Sequence, residues 1–436
     1  MNFGLNQFNV SLWGDEAWAA TLAVKPVQKI IQIVSHDTSP PLYYLLLHTW
    51  MKIFGTSEVI IRLLSFALFL ATVLTVFLIG KHLFDQKTGL IAALLTLTNP
   101  FLFNYAFEGR MYALLALTST LSIYFFLKKN RLGFILSTTA ALYTHHFAIF
   151  VVAFEGIWTL AKTRLTNLRK IWKNLRDFFL IALLYLPWLF PLYHQTSLVS
   201  SGFWLGRPTV KDLGQTIGQF LVGTGKELPR KLALLTLLLS LITRKWLANK
   251  AKTLFLLGWF FVPLLLTFLI SQRFQPIFYD RYLLATIPAA LLMAASNRRK
   301  ITLPLLGLLL LFLFILDLNY FTHPTKRPFR ELASYIKSSF ESGAPSKILI
   351  NYNGAAHHLF ESKYYGLDAP IYSPQPLPFY TGTALMGKQD VITQLPKADI
   401  IGVITSNPRE KVKLPGFSQL DFKQFGSLFL IWMKKD

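Results

Sequence analysis

The sequence predicts a polytopic α-helical membrane protein with a small α/β domain at its C-terminal end. Two observations carry this prediction. The chain of 436 residues is 53% hydrophobic and only 15% charged, and its apolar residues form runs long enough to cross a bilayer as helices. The composition then changes after about residue 320, where short strand-like runs replace the long apolar ones.

The apolar runs predict about ten membrane spans. Each run contains few charged residues, and two of them are separated only by His145 and His146. Ten spans would return the C-terminal region to the side on which the chain started. The predicted spans are 57–82, 88–105, 110–127, 131–146, 147–161, 178–194, 230–243, 252–270, 282–296 and 301–319.

The formal net charge of +23 comes largely from short basic segments between apolar runs. In a soluble protein such a charge suggests nucleic acid, but basic loops between spans are typical of the cytoplasmic side of a membrane protein. We therefore predict no nucleic-acid partner and a multi-pass protein of the plasma membrane. The cytoplasmic set is Lys81, Lys87, Lys128, Lys129, Arg131, Lys162, Arg164, Arg169, Lys170, Lys173, Arg176, Arg244, Lys245, Lys250, Lys252, Arg298, Arg299 and Lys300.

The connections at the other ends of the spans contain few basic residues and most of the acids. The excess of Lys and Arg in cytoplasmic loops therefore places these connections on the outer side of the membrane. The segment 163–176 predicts a basic amphipathic helix on the inner surface.

The chain has no cysteine, which excludes disulfides, thiolate nucleophiles and Cys-type metal sites. The His145-His146 pair has no acid nearby in sequence to complete a metal site. We predict no cofactor, although a divalent cation is compatible with the expected chemistry.

The region 321–436 predicts an extracytoplasmic α/β domain. "PFRELASYIKSSFES" has helical spacing, whereas "KILINYN", "ADIIGVIT" and "LFLIWMKK" are rich in β-branched and aromatic residues, as strands are. About 110 residues suffice for a separate hydrophobic core.

The first 56 residues are too polar to span and predict an outer loop with the motif "SLWGDEAWAA". Asp15 and Glu16 point about 100° apart on a helix, so they are not expected to act as one carboxylate pair. They are either first-turn residues favoured by the helix dipole or a partly desolvated base. Trp13 and Trp18 favour the second interpretation, because they suggest that the loop packs on the membrane face.

The Pro40-Pro41 pair predicts the start of a helix, because proline is tolerated in the first turn. "LYYLLLHTWMKIF" reads as an interfacial helix with Tyr43, Tyr44 and Trp50 at headgroup depth, ended by Gly55. Before it, His36 and Asp37 form a polar pair that could line a site, and Asp37, Thr38 or Ser39 could instead, or also, cap this helix.

Two further outward clusters contain ionisable residues beside spans, where such groups normally pair or face a polar cavity. In "NPFLFNYAFEGRMYALLAL" these are Glu108, Arg110 and Tyr112, and in "SQRFQPIFYDRYLLATIPAA" they are Asp280, Arg281 and Tyr282. Glu108 and Arg110 could simply pair with each other, and an arginine could snorkel to headgroups. Arg281 is the first candidate for a phosphate, ahead of Arg273 and Lys211.

Four of these motifs together resemble a known family. "LWGDEAW", "HDTSPPLYYLLLHTWMKIFGTSEVIIRLLS", "FNYAFEGRMYALLAL" and "YDRYLLATIPAALL" look like bacterial GT-C membrane glycosyltransferases. The nearest branch is similar to dolichyl-phosphate-mannose protein mannosyltransferases and the lipid A aminoarabinose transferase. The likeness covers residues 9–320. It implies transfer of a sugar from a polyprenyl-phosphate carrier, on the outer face, to a protein, lipid or glycan.

The resemblance also implies roles for individual residues. Asp15 would be the catalytic carboxylate, Pro41 would lie in the juxtamembrane helix, and Arg281 would lie near the carrier phosphate. The family normally has a span before the Asp-Glu loop, so we expect a missing first span and eleven spans in the natural protein. The expected substrate-binding residues are Glu16, His36, Asp37, Tyr43, Glu108, Arg110, Tyr112, Arg281 and Tyr282.

The expected chemistry is a single inverting displacement. A prenyl phosphate departs as an anion, so one carboxylate to deprotonate the acceptor and cations to hold the phosphate suffice. The alternative is a lipid-linked-sugar flippase or transporter, but its ionisable residues should lie at the bilayer midplane. A non-catalytic scaffold is a third interpretation and would bind no prenyl phosphate.

Overall fold

The computed structural model describes residues 4–163, 168–202, 204–242, 250–296, 302–341, 348–352 and 357–436. These residues form two compact units. The first unit contains the residues through Asp37, Tyr44–Ile61 and His323–Asp436, and the second contains Thr38–Tyr43 and Arg62–Thr322. The division differs from the predicted regions 1–56, 57–320 and 321–436 in grouping N-terminal with C-terminal residues.

Helices run through most of the chain up to Glu341. In chain order they are α1 (Gly14–Ala23), α2 (Val27–Ser35), α3 (Leu42–Phe54), α4 (Glu58–Leu83), α5 (Gln86–Leu97), α6 (Pro100–Ala106), α7 (Tyr112–Lys128), α8 (Arg131–Thr144), α9 (Ala148–Lys162), α10 (Leu168–Tyr185), α11 (Leu189–Ser200), α12 (Val210–Val222), α13 (Glu227–Ile242), α14 (Lys250–Arg273), α15 (Ile287–Ala295), α16 (Thr302–Thr322) and α17 (Phe329–Glu341).

Each predicted span contains a helix, but the count of ten spans is not confirmed. Within the described residues, four helical stretches are long and apolar enough to cross a membrane: Glu58–Leu83, Leu175–Ser200, Lys250–Arg273 and Thr302–Thr322. The pair α5 and α6 would be a fifth, although it bends by 62°. The bend follows from Asn99, which caps α6 through Leu102 N, and from Pro100 in the first turn of that helix.

Close helix contacts in the second unit depend on small residues. A Cβ atom at Gly80 of α4 would lie 2.7 Å from Cα of Gly89 in α5. A Cβ atom at Gly258 of α14 would lie 2.6 Å from Cε2 of Phe154 in α9. Glycine at these points lets the backbones approach each other, as is common between helices in membranes.

The C-terminal part of the first unit contains a six-stranded sheet in the order β3-β2-β1-β4-β6-β5. β1 pairs in parallel with β2 and β4, β2 in parallel with β3, and β6 in antiparallel with β4 and β5. The strands and the added helix are β1 (Ile348–Tyr352), α18 (Leu359–Tyr364), β2 (Ile371–Tyr372), β3 (Val391–Ile392), β4 (Ile400–Thr405), β5 (Phe417–Phe425) and β6 (Leu428–Lys435).

Side chains alternate across this sheet, so it has an apolar core on each face. One core contains Leu349 and Trp432 and packs against α17 through Phe329. The other contains Ile350 and Ile431. The helix and the three strands predicted from sequence are therefore confirmed, because their apolar periodicity matches the faces that they bury.

Three aromatic residues of the N-terminal region are covered by protein. Tyr43 and Tyr44 are fully buried, so their rings do not face headgroups, whatever the depth of α3. Trp18 is also buried; its ring lies edge-on to Tyr44 with centroids 5.4 Å apart, and its Nε1 donates to the carbonyl of Gly382 at 3.4 Å. The Trp18 ring is therefore covered by protein atoms of the same unit, and the packing of this loop on the membrane face stays a prediction.

Candidate functional site

The two adjacent acids of the N-terminal motif lie in the first turn of α1 but in different surroundings. Glu16 is fully buried, and its Oε2 accepts from the backbone N–H of Trp13 at 3.3 Å and from Nζ of Lys326 at 3.0 Å. Asp15 is half-buried. Glu16 therefore fixes the start of α1 and its contact with the C-terminal region, whereas Asp15 is the more exposed acid of the pair.

The C-terminal region contributes a second acid beside α1. A Cβ atom at Gly14 would lie 3.5 Å from Oε1 of Glu361, so this carboxyl packs against the start of the helix. Glu361 also lies 3.2 Å from Nδ1 of His358, and both residues are buried. Sequence reasoning missed this pair, because no local pattern indicates which residue of α18 meets α1.

A further ionic network joins the same parts of the first unit. Nη2 of Arg330 lies 2.6 Å from Oε1 of Glu58 and donates to the carbonyl of Asn9 at 2.7 Å. The hydroxyl of Tyr365 donates to Oε1 of Glu58 and accepts from the backbone N–H of Leu12, each at 2.9 Å. The loop before α1 is thus held on both sides of the Asp-Glu motif.

His36 and Asp37 lie after α2 and do not cap α3. The His36 ring is exposed, and its Nδ1 lies 2.9 Å from the carbonyl of Gln32 in its own helix. α3 begins only at Leu42, directly after Pro41, so residues 37–39 precede the N-cap position. The capping prediction is therefore wrong, whereas the predicted helix itself is confirmed with the same bounds, Leu42–Phe54.

In the second unit, the structure brings together the two outward clusters predicted from sequence. The guanidinium carbon of Arg281 lies over the rings of Tyr279, Tyr112 and Tyr282, at 4.8, 5.3 and 5.8 Å from their centroids. The rings of Tyr112 and Tyr282 are themselves stacked, with centroids 6.4 Å apart. Such cation–π contacts fix the plane of an arginine while retaining its charge.

Glu108 and Arg110 belong to the same cluster. They lie in the turn between α6 and α7, where the carbonyl of Glu108 accepts from the Arg110 N–H at 2.7 Å and from Oγ of Ser65 at 2.6 Å. Burial raises the pKa of Tyr279; Arg281 opposes this rise, and Asp280 and Glu108 add to it. Both acids and Arg281 thus act electrostatically on one hydroxyl. The polar cluster is Glu108, Arg110, Tyr112, His145, Tyr279, Asp280, Arg281 and Tyr282.

Asp280 is the nearest acid to Arg281 along the chain. Its Oδ1 accepts from the backbone N–H of Arg281 at 2.6 Å, within a short 3₁₀ turn, Asp280–Tyr282. Burial raises the pKa of Asp280, while the Arg281 N–H and charge act in the opposite direction. Burial thus disfavours the charged form of Asp280, whereas Arg281 favours it.

An apolar cavity of about 810 Å³ opens beside the polar cluster. Arg110, Tyr112, His145 and Tyr282 line one part of it, and most of the remaining lining consists of apolar side chains of α8 to α11. This volume lies within the range of small-molecule sites, which are mostly apolar with a few polar groups that orient the ligand. The arrangement suits a long apolar chain with an anionic head.

A series of polar contacts between side chains runs along one wall of the cavity. Nε2 of His146 lies 2.7 Å from Oε1 of Gln195, and its Nδ1 lies 3.2 Å from the Tyr185 hydroxyl. Nε2 of Gln195 donates to the carbonyl of Ser39 at 3.3 Å. Sequence reasoning missed His146 and Gln195 as wall residues, since nothing local to a glutamine in an apolar helix indicates its partner.

The two weaker phosphate candidates, Arg273 and Lys211, are not among the residues that line the cavity. Arg273 ends α14, with its guanidinium carbon 6.0 Å from the Phe274 ring, and Lys211 is exposed on α12. Across the described ranges, no group of three or more histidines and acids has the geometry to hold a metal ion. The basic helix predicted for 163–176 begins in part outside the described residues, at 164–167, and the described part belongs to α10.

Comparisons with known proteins agree with this arrangement. A family model described as dolichyl-phosphate-mannose-protein mannosyltransferase matches residues 38–190. No curated protein sequence matches the chain significantly.

The fold is similar to solved structures of two glycosyltransferases. ArnT from Cupriavidus metallidurans in the apo state has a TM-score of 0.69 and 12% identity, over 98% of this chain and 94% of that one. Its complex with undecaprenyl phosphate has a TM-score of 0.64 and 12% identity, over 98% and 95%.

The archaeal oligosaccharyltransferase AglB from Archaeoglobus fulgidus, in complex with an inhibitory peptide and a dolichol-phosphate, has a TM-score of 0.51 and 13% identity, over 92% of this chain and 66% of that one. At such identities the likeness shows the fold alone. Together with the family match, it confirms the predicted resemblance to GT-C membrane glycosyltransferases.

Proposed function

We propose that the protein is an inverting glycosyltransferase that takes a sugar from a polyprenyl-phosphate carrier and transfers it to a hydroxyl group of a protein, lipid or glycan acceptor. The observation that carries the proposal is the apolar cavity bordered by Arg110 and Tyr112. A prenyl phosphate likewise has an apolar part, the prenyl chain, and a polar part, its single anionic head. ArnT has been solved with undecaprenyl phosphate and AglB with a dolichol-phosphate.

The proposal assigns the carrier phosphate to Arg281, with Arg110 as a second cation. The tyrosine rings set the plane of the Arg281 guanidinium, and preorganised cations stabilise charge that develops on a leaving phosphate. The leaving group needs no proton, because a prenyl phosphate departs as an anion. Tyr112 and Tyr282 would form the wall between the phosphate and the prenyl chain.

Asp15 is the proposed general base. Glu16 already holds the start of α1 and Lys326, so its carboxylate is committed to the fold. Asp15 would accept the acceptor's proton as the acceptor oxygen attacks the anomeric carbon and the carbon–phosphate oxygen bond breaks. A single displacement of this kind inverts the anomeric centre and needs no second carboxylate nucleophile.

The remaining assignments follow from the sequence. Glu108, His36, Asp37 and Tyr43 would contribute to the sugar and acceptor pockets. The acceptor would be a protein, lipid or glycan at the outer face of the plasma membrane, on the side to which the less basic connections are assigned. The C-terminal domain would lie on that side too. A divalent cation is not part of the proposal.

The alternative, a flippase or transporter for lipid-linked sugars, is not favoured. The family match and the similar folds belong to transferases. The polar cluster also lies in turns next to helix ends, whereas transporters place ionisable groups in broken helices at the midplane.

The test is sugar transfer by Asp15→Asn in proteoliposomes. Radiolabelled mannose and aminoarabinose, each linked to undecaprenyl phosphate, serve as donors, and an extract of envelope lipids and proteins supplies acceptors. We expect turnover to fall by about 10³-fold, the scale of general-base catalysis. Asp368→Asn, an exposed acid of the same unit, is the matched control and should stay near wild type. Near wild-type transfer by folded Asp15→Asn would remove this residue from the role.

A further inference from the structure

A buried hydrogen-bond network joins α7, α8 and α9 below the polar cluster. Oγ of Ser122 lies 2.7 Å from Oε1 of Glu155 and 2.7 Å from Oγ1 of Thr138. Oγ1 of Thr138 lies 2.6 Å from the carbonyl oxygen of Phe134. The three side chains are at most 1% exposed. Neither the proposed reaction nor the fold's apolar packing accounts for a carboxyl at this place.

Counting hydrogens decides the protonation state of this carboxyl. The chain of contacts from the Phe134 carbonyl through Thr138 and Ser122 to Glu155 contains three oxygen–oxygen pairs, and each pair needs one hydrogen. The two hydroxyls supply one hydrogen each, and a carbonyl supplies none. If Glu155 were ionised, Ser122 would have to donate to both of its neighbours at once, or one pair would be two oxygens in contact with no hydrogen between them. The third hydrogen must therefore come from Glu155.

The surroundings agree with a neutral acid. Oε2 of Glu155 has no hydrogen-bond partner among the described residues, and a buried ionised carboxylate with one unsatisfied oxygen is costly. The other charged residues of the three helices are Lys128, Arg131 and Lys162, six or seven positions away along their own helices, or about 10 Å. The charged residues of the neighbouring α14 are Lys250, Lys252 and Arg273, at its two ends, and those of α10 all precede Phe178.

The network also lies at a matched depth on its three helices. Ser122 is ten residues after Tyr112, Thr138 is seven before His145, and Glu155 is nine after His146, which corresponds to about 10–15 Å along each helix from these three residues. Tyr112, His145 and His146 all line the cavity. A hydrogen-bonded link between the helices at this depth fixes the relative rotation and height of the residues above it.

We propose that Glu155 is a neutral carboxylic acid whose proton completes the chain Glu155→Ser122→Thr138→Phe134 carbonyl, and that this chain positions the ends of α7, α8 and α9 that line the cavity. Glu155 is thus a positioning residue and takes no part in proton transfer. The protonation state is independent of the proposed function. The positioning role rests on the proposed use of the cavity for a prenyl phosphate.

Infrared difference spectroscopy on the full-length protein in lipid nanodiscs tests the protonation state. We expect the wild type minus Glu155→Gln spectrum at neutral pH to contain the C=O stretching band of a neutral carboxylic acid, which moves to lower frequency in D₂O. The buried Asp317 of α16 remains in both samples and cancels. Symmetric and antisymmetric carboxylate bands in place of the C=O band would overturn the proposal.

Two substitutions test the positioning role. The amide of Glu155→Gln can donate the third hydrogen, so its melting temperature should stay within a few degrees of wild type. Glu155→Leu has no donor and should melt several degrees lower. Undecaprenyl phosphate should bind Glu155→Leu roughly 3- to 10-fold more weakly and Glu155→Gln as tightly as wild type. Equal loss in both variants would mean that an ionised Glu155 is needed.

Ser122→Ala provides an independent check. It removes the acceptor for the Glu155 proton, so adding Glu155→Leu to it should cause little further loss of thermal stability. Additive losses would show that the two residues act separately. If wild-type protein fails to bind undecaprenyl phosphate, the proposed function is at fault, and the spectra and melting temperatures still decide the state of Glu155.

Discussion

The two units hold their functional charges in different ways. In the first unit, acids pair with cations contributed by the C-terminal region, as in Glu16 with Lys326 and Glu58 with Arg330. In the second unit, Arg281 lies over three tyrosine rings. An ion pair neutralises a charge, whereas an aromatic face orients one and leaves its sign unchanged. We infer that the ion pairs of Glu16 and Glu58 maintain the fold, whereas the tyrosine rings hold the Arg281 guanidinium in one plane for a ligand.

Glu16→Gln should have the largest effect on stability. It leaves Lys326, which is 16% exposed, without the carboxylate of its buried ion pair, and breaking such a pair costs about 3 kcal/mol. Thermal unfolding in detergent measures the loss. Asp15→Asn, one residue earlier and half-buried, should cost less than about 1 kcal/mol. Equal losses at the two positions would contradict the division of roles between the neighbouring acids.

Arg281→Ala should weaken binding more than stability. Loss of a charged hydrogen-bonding partner costs a phosphate about 2 kcal/mol, or roughly 30-fold in affinity, which binding of undecaprenyl phosphate to protein in detergent measures. Arg281→Lys should recover only part of the affinity, since an ammonium lacks the planar fork and stacks poorly on rings.

The matched control for Arg281 is Arg273→Ala, at the end of α14 outside the polar cluster. Its affinity for undecaprenyl phosphate should stay close to that of wild type. Arg281→Ala could instead reduce the amount of folded protein while the folded fraction binds undecaprenyl phosphate as tightly as wild type. Arg281 would then have a structural role, which contradicts the difference drawn between the two units.

Ala182→Trp should distinguish binding of the prenyl chain from binding of the phosphate. Ala182 lines the apolar part of the cavity, so an indole there occupies space needed by a long chain and should weaken undecaprenyl phosphate binding about tenfold, or 1.4 kcal/mol. A short-chain prenyl phosphate should bind as before. Ala161→Trp, on α9 away from the cavity lining, is the control. Equal losses for long and short chains would place the prenyl chain elsewhere.

The sequence was sufficient for elements that carry a strong local pattern. The helix Leu42–Phe54 follows from a proline pair before it and a glycine after it, and β4 and β6 follow from dense β-branched and aromatic residues. β5 was missed, because its exposed residues in "FSQLDFKQF" have no apolar face to reveal a strand.

The partners of the functional residues were less predictable. Glu16 and Lys326 are 310 positions apart, and a single sequence does not reveal such a pairing. Trp18, Tyr43 and Tyr44 have the composition of an interfacial belt but are buried by protein, since aromatic residues suit both environments. For Glu108, Arg110 and Arg281, the sequence predicted only that all three lie on the same side of the membrane. It did not predict that they belong to one cluster.

Asp280→Asn is the smallest and sharpest of these tests. Burial raises the pKa of Asp280 in the folded state, so folding favours the protonated form, and the cost of ionising Asp280 appears as the pH rises above its unfolded value. The asparagine variant does not pay this cost. Its free energy of unfolding at pH 7.5 should therefore exceed that of wild type slightly, by less than about 1 kcal/mol, and this difference should shrink as the pH falls toward 4.5.

Asp212→Asn is the contrasting control. The Thr209 backbone N–H and hydroxyl lower the pKa of this exposed acid, so folding favours its ionised form, and the variant should be less stable than wild type at pH 7.5. If Asp280→Asn were instead less stable than wild type at pH 7.5, the Asp280 carboxylate would be an ionic partner that holds Arg281. Arg281 would then be held by an ion pair, as Glu16 and Glu58 are in the first unit.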